Sequence, residues 1–278
     1  MVANKKPKTL EEALQIRASE ETVVYAGGTD IMVDQVPEIN FLFINGIESL
    51  KHIKDKGDHI EIGAGVTYTK LLASDLIPKL LKDSIVDIAA PALKNIATLV
   101  GNVCNASPLA DTPPVLSLYD ARLVLEKTGA ERELTLDEFM LGLKDTAIEK
   151  DELMTYIRLP KKDFTDIYYE KIAQRKAASI SKISFAAAAT IKGDTVEVFR
   201  FAFGSISRTP LRLRELEASI EGRKLTDVKA DIETIMAQCD EQIQTRDGKR
   251  STGRYRKKVA LNMIRDFIMT LGEKEEAE

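Results

Sequence analysis

Apolar and polar positions alternate along this chain in short blocks, which predicts closely spaced helices and strands. Thr9-Leu10-Glu11-Glu12 has the form of a capping box, with Thr9 as N-cap and Glu12 at N3, and predicts a helix to about residue 18. Residues 22–25 and 41–44 are apolar enough to be buried strands. Gly27-Gly28 stops the first, and Thr29 or Asp30 can then cap a short helix over 31–35. A turn at Gly57-Asp58 leads into a strand over 59–62, which Gly63-Ala64-Gly65 ends. Helical spacing follows over 67–73 and 77–89.

The stretch 98–114 has no periodicity and is dense in Asn, Ser, Gly and Pro, so it is expected to be a long loop, a form usually reserved for function. A short helix resumes over 115–119, and 121–126 pairs with 131–134 as a hairpin about Thr128-Gly129. Past residue 160 the pattern changes to three consecutive antiparallel strands, 164–173, 183–192 and 195–203, followed by helices over 211–220, 226–239 and 253–271. The fold class is therefore α+β. A boundary near Lys161-Lys162-Asp163 divides the chain into 1–162, itself subdivided near 50–55, and 163–278. No internal repeat is visible.

Composition removes several classes of function. The chain has 278 residues, 44% hydrophobic and 30% charged, a usual globular mixture. Its 40 Lys and Arg against 44 Asp and Glu give a formal charge of −4, unlike a chain built to coat nucleic-acid phosphates. Two cysteines (Cys104, Cys239) and two histidines (His52, His59) supply neither an iron–sulfur cluster nor an imidazole metal site, so no metal ligands are assigned. No apolar leader or spanning segment is found, and a cytoplasmic location away from membranes is expected. Both histidines are read as solvent-exposed loop residues, and Asn105-Ala106-Ser107 as a chance glycosylation triplet.

Two segments could carry chemistry. In Val24-Tyr25-Ala26-Gly27-Gly28-Thr29-Asp30-Ile31, a strand, two glycines and a helix start can turn several backbone N–H groups toward one phosphate pair, because glycine allows close approach and positive φ. An ordinary tight turn with an Asp cap is the alternative. The second is Thr98-Leu99-Val100-Gly101-Asn102, continuing through Cys104, Asn105 and Ser107 to Asp111. Its hydroxyl, amide and carboxylate groups suit a polyol or phosphate, although Asp111 before Thr112-Pro113-Pro114 can equally be a helix N-cap. Gly63-Ala64-Gly65 opens like a dinucleotide fingerprint, but Tyr68 stands at its third glycine position. The basic residues between Arg246 and Lys258 are read as a solvated helix start, with a partner or anion contact as the alternative. No serine or cysteine nucleophile setting is present.

Those two segments together resemble the FAD-binding subunit of the molybdenum hydroxylases, the family of xanthine, nicotinate and carbon monoxide dehydrogenases. The likeness extends to Phe203-Gly204-Ser205-Ile206-Ser207-Arg208-Thr209-Pro210 and Ser251-Thr252-Gly253-Arg254-Tyr255-Arg256, nearly the whole chain. The resemblance implies a two-part FAD-binding domain of the PCMH/vanillyl-alcohol-oxidase type, then a smaller C-terminal domain. It implies FAD with its pyrophosphate on Ala26 to Ile31, the second segment (Thr98, Gly101, Asn102, Ser107) closing over it, and Asp111 as the acidic flavin contact. Lys171 falls where the family has a basic residue near the flavin edge, Ile180 where a side chain covers the ring, and Met154 at a lining position. It further implies partner chains carrying [2Fe-2S] clusters and molybdopterin, electron exit from FAD to NAD, and substrates among purines or related N-heterocycles. A free-standing flavin reductase or oxidase and a flavin-free assembly protein are the rival readings. One departure stands out: Val100-Gly101 replaces the family's Gly-Gly pair, which costs about 1–3 kcal/mol if the first position needs positive φ. No general acid or base is assigned.

Overall fold

The computed structural model describes residues 4–33, 39–175 and 178–273. Helix α1 (Leu10–Ser19) is capped as its sequence predicts: the Thr9 hydroxyl accepts from Glu12 N at 3.1 Å. The Glu12 carboxylate, however, reaches one residue further back, to Lys8 N. Strands β1 (Val23–Tyr25) and β2 (Phe41–Phe43) pair in parallel, and a turn of 3-10 helix at Ile31–Val33 follows the glycines. Residues 34 and 35 of the helix expected there lie outside the described residues.

Strands β3 (Ile53–Asp55) and β4 (His59–Gly63) form a hairpin where only a surface loop and one strand were expected. The histidines are accordingly not solvent-exposed. The His52 ring is held between Ser49 O and the Glu61 carboxylate at 2.7 and 2.8 Å, and the partly buried His59 opens β4. A three-residue strand with a charged outer edge is too short for alternation to reveal it.

Helices α2 (Tyr68–Ala73), α3 (Lys79–Val86) and α4 (Pro91–Lys94) lead to α5 (Leu99–Cys104) and α6 (Thr112–Leu118). The supposed long loop 98–114 is thus mostly helical, and only residues 105–111 connect. Gly101 and Asn102 hide α5 from a propensity reading. It forms because Thr98 caps it and because Leu99, Val100 and Val103 are buried.

The hairpin β5 (Arg122–Lys127) and β6 (Ala130–Thr135) turns at Gly129, whose φ is 77°. After α7 (Leu136–Phe139) and the small pair β7 (Met140–Gly142) and β8 (Asp145–Thr146) comes β9 (Leu153–Pro160). It completes an antiparallel sheet of order β3-β4-β9-β5-β6, and as its middle strand it is buried at most positions.

The last part is an antiparallel meander, β10 (Asp166–Ala173), β11 (Ser181–Lys192) and β12 (Thr195–Gly204), covered by α8 (Arg214–Ile220), α9 (Leu225–Ala230), α10 (Ile232–Gln242) and α11 (Gly253–Thr270). The single helix expected over 226–239 is broken at Asp231, which leaves the helical region with φ −91° and ψ 16°. Period-2 alternation divides β11 and β12 between two cores. Ala186, Ala188 and Ala202 join the core of the preceding part. Phe185, Phe199, Phe201 and Phe203 face α8, α10 and α11, with Phe185 and Phe203 stacked at 4.7 Å.

Charges tie the two parts together. Asp120 accepts from Arg212 (2.9 Å), Lys162 (2.8 Å) and Arg200, and these cations hold its carboxyl far below the usual carboxylate range despite partial burial. The basic run is also less solvated than its sequence suggests. Arg256 is buried and donates to Arg246 O, and Lys257 pairs with Asp240 at 3.1 Å.

Candidate functional site

The chain leaves β1 through Ala26-Gly27-Gly28-Thr29-Asp30 without regular structure. Gly28 takes φ 68°, and an added Cβ there would lie 2.0 Å from the Tyr25 ring, itself packed on Phe41 and Phe43 at 5.6 and 4.6 Å. A Cβ on Gly27 would stand 1.9 Å from Ile96 O, so the turn presses against the chain just before Thr98. The two motifs, about seventy residues apart along the chain, therefore meet in space.

Between them lies a cavity of about 490 Å³, a volume usual for small-molecule and cofactor sites. Val24, Ala26, Gly27, Gly28, Thr29, Asp30 and Ile31 line it from one motif, Thr98, Gly101 and Asn102 from the other, and Met154 from β9. Among the described residues, the backbone N–H groups of Gly27, Gly28, Thr29 and Asp30 have no hydrogen-bond partner. Asn102 Oδ1 accepts from the Thr112 hydroxyl at 2.7 Å, which leaves its amide N–H groups as donors. Arg17 brings the cationic side chain on the lining, steadied by Thr22 O at 2.6 Å. Burial lowers its pKa without discharging a guanidinium.

Val100 occupies the first turn of α5 with ordinary backbone, 4% exposed, so the departure from Gly-Gly carries no conformational penalty. Gly101 N bonds the Thr98 hydroxyl at 3.0 Å, and a Cβ on Gly101 would crowd that oxygen at 2.9 Å.

Five expected residues lie outside this lining. Tyr25 faces a smaller hollow behind the turn, lined also by Lys51, Lys70, Asn45 and Asn95. Ser107 shapes the 105–111 connection by accepting from Leu109 N at 3.3 Å. Asp111 occupies the N-cap position of α6, but its side chain makes no cap. It accepts instead from Lys171 Nζ at 2.7 Å and from the Ser181 hydroxyl. Lys171, on β10, also donates to Asp87 O at 3.0 Å. This buried group joins the two parts of the chain. Burial pushes the Asp111 carboxyl upward, and Lys171 and Ser181 oppose that push. Ile180, just before Ser181, is 47% exposed.

Several lining residues carry no sequence signal. Leu153, Ile148 and Ile88 read as generic core, and Tyr68 as a failed fingerprint position. Cys104 opens onto the cavity with Sγ 4.0 Å from Met154 Sδ. By surface area Cys104 is exposed on the cavity wall, while the protein atoms crowded about its thiol push its pKa up to about 12.

Comparison with known proteins agrees with this geometry. Residues 2–162 match the model of the FAD binding domain in molybdopterin dehydrogenase, and residues 168–271 that of the CO dehydrogenase flavoprotein C-terminal domain. The chain is 27% identical over 260 residues to the glyceraldehyde dehydrogenase medium chain of Sulfolobus acidocaldarius, covering 91% of this chain and 92% of that one. It is 29% identical over 273 residues to the caffeine dehydrogenase subunit beta of a Pseudomonas species, covering 92% and 89%. A chain of the carbon monoxide dehydrogenase structure from Hydrogenophaga pseudoflava superposes with a TM-score of 0.88 at 24% identity over 96% of both chains, which shows a shared fold.

Proposed function

Because this chain belongs to the family of FAD-binding domains in molybdopterin dehydrogenases, we propose that it is the flavoprotein subunit of a hetero-oligomeric oxidoreductase and holds FAD in the cavity between its two motifs. In this reading it forms a two-part FAD-binding domain, residues 1–162, and a smaller domain, residues 163–278. Partner chains carry the [2Fe-2S] clusters and molybdopterin, for which this chain has too few cysteines. Bound FAD would supply the redox chemistry, taking electrons from those clusters and passing them to an acceptor such as NAD.

The chain's own groups fit that cofactor. Four backbone N–H groups, Gly27 to Asp30, are free to donate to the pyrophosphate, and this observation carries the reading. The Asn102 amide donates from the facing wall, and Arg17 adds positive charge. Val24, Leu153 and Met154 exclude water, which strengthens each of these contacts. From the resemblance, Asp111 and Lys171 are proposed as the polar contact of the flavin edge and the exposed Ile180 as the side chain that covers the ring, although none of the three lines the cavity itself. In its alternative role, a simple bend, the turn would leave these four N–H groups to solvent; their place on the cavity facing Asn102 favours a ligand. A flavin-free assembly protein is disfavoured because Val100 is packed helix and not a lesion.

Substrate choice belongs to the molybdopterin partner. A purine or related N-heterocycle remains the proposal from the resemblance, beside relatives named for glyceraldehyde and for caffeine. The proposed setting is cytoplasmic, and among the described residues no helix is long and apolar enough to cross a membrane. The deciding experiment is purification of the chain and titration with FAD. A yellow chain with one FAD per molecule is expected, and a colourless chain that fails to bind added FAD overturns the proposal. Co-purification with an iron–sulfur chain and a molybdopterin chain separates a complex subunit from a free-standing reductase.

A further inference from the structure

Arg17, on α1, reaches one end of the cavity and is held there by main-chain oxygens. Its Nη1 donates to Thr22 O at 2.6 Å and its Nε to Glu152 O at 3.4 Å. Thr22 directly precedes β1 and Glu152 directly precedes β9, so both acceptors belong to the scaffold. These bonds fix the guanidinium plane and leave Nη2 as an uncommitted donor. In the sequence Arg17 reads as nothing more than the basic residue in the last turn of a capped helix.

What this guanidinium lacks is a counter-ion. Among the described residues it makes no ion pair; Asp151 acts on it from further away and itself pairs with Lys127 at 3.7 Å. A half-buried cation without a counter-ion is unfavourable by itself, and burial accordingly lowers its pKa. Asp30, the acidic residue on the lining, stands in the glycine turn. From Thr22 to Tyr25 the chain is extended, so the guanidinium and the start of that turn are about 10 Å apart, too far for one phosphate to touch both. The wall near Arg17 is apolar: Val23 and Val24 follow Thr22, and Leu153 follows Glu152. A ligand that reaches from the turn to this end must bring a flat, largely apolar group. A planar, weakly hydrated guanidinium suits such a group, by stacking on its π face or donating to its ring nitrogens, where an ammonium does not.

We propose that Arg17 holds the adenine base of the bound FAD and so makes the chain select FAD over FMN. This rests on the FAD reading above and deepens it. Asp111, Lys171 and Ile180, assigned to the flavin edge from the resemblance, all lie outside the cavity lining, which leaves the cavity to the adenosine half. With the pyrophosphate on the glycine turn, flavin on the side of Asp111 and adenine on the side of Arg17, each of these groups has a partner.

The test measures dissociation constants for FAD and FMN, and thermal unfolding without flavin, in wild type, Arg17→Leu and Arg17→Lys. Wild-type binding of FAD is established first, because its failure would overturn the FAD reading itself. Given that binding, Arg17→Leu should weaken FAD about tenfold, the loss of one contact between a base and a guanidinium. FMN, which has the flavin and a phosphate but no adenine, should bind Arg17→Leu and wild type alike. Arg17→Lys keeps the charge and loses the plane, so it should weaken FAD nearly as much. A role confined to fixing Thr22 O and Glu152 O would instead lower the flavin-free midpoint and weaken both flavins together. FAD affinity within about twofold of wild type in Arg17→Leu, equal losses for FAD and FMN, or full recovery in Arg17→Lys overturns the assignment.

Discussion

Gly27→Ala tests the meeting of the two motifs with the smallest possible change. The added Cβ would stand 1.9 Å from Ile96 O and 2.6 Å from the Ile96 carbonyl carbon, both main-chain atoms that cannot rotate away. Relief requires one backbone to retreat by more than an ångström, which pulls the 26–30 turn from the start of α5. A charge-assisted hydrogen bond is worth about 1.5–3 kcal/mol. Losing one or two of those from residues 27–30 should cost about 2–4 kcal/mol, roughly 30- to 1,000-fold in FAD affinity. The FAD-free chain should also lose about 1–3 kcal/mol from overpacking. Calorimetric titration with FAD and thermal unfolding measure the two losses separately. Gly46→Ala is the control, since its nearest neighbour would be Pro7 O at 3.9 Å and its φ is not positive. A Gly27→Ala chain that binds FAD with wild-type affinity would refute the placing of the cofactor between these segments.

Three further outcomes are expected. Val100→Gly, which restores the family's glycine pair, should cost about 2–3 kcal/mol of stability from lost burial and helix propensity, with no gain in FAD affinity; tighter binding would show that the valine obstructs the site. Cys104 should react with iodoacetamide at pH 7.5 more than tenfold slower than a free thiol, because little of it is thiolate, and FAD should block the reaction; fast labelling insensitive to FAD would contradict its place on the cavity wall. Asp120→Asn should lower the unfolding midpoint by several degrees at neutral pH. Because the folded carboxyl is depressed, its contribution is present above the ordinary carboxylate pKa near 4 and fades as pH falls below it. Wild type and variant should therefore converge in acid, and a gap that stays constant from pH 7 to pH 3 would count against the ion cluster.

What could be read directly from the chain is what local rules control. The meander β10–β12 was legible because its strands are long, a glycine turn joins the last two, and Phe199, Phe201 and Phe203 recur at every second position. The glycine turn was legible because steric limits at Gly27 and Gly28 leave glycine as the residue that fits. Helix α5 was not, since six residues containing Gly101 and Asn102 owe their helicity to a cap and to tertiary burial. β9 was not assigned at all, although it is the middle strand of the large sheet; its buried face carries Thr155 among the aliphatics, its other face carries Met154 beside Tyr156 and Arg158, and Pro160 ends it, which blurs the alternation in the sequence. Within the site, Asp111 kept the appearance of a cap until Lys171 and Ser181, sixty and seventy residues away, were brought against it. Arg17 gains its significance from what surrounds it in space, which no local pattern encodes.

The alanines of β11 and β12 have a consequence for dissection and transplantation. A surface of methyl groups can be approached closely, and α6, buried along its whole length, rests on it. Cutting after residue 162 would bare the face of that helix that rests on the sheet, and so weaken the scaffold beneath Asn102. Anyone borrowing this flavin cradle for an artificial electron carrier must therefore take its foundation too: the last 116 residues are the floor on which the cradle stands, and not a detachable annex.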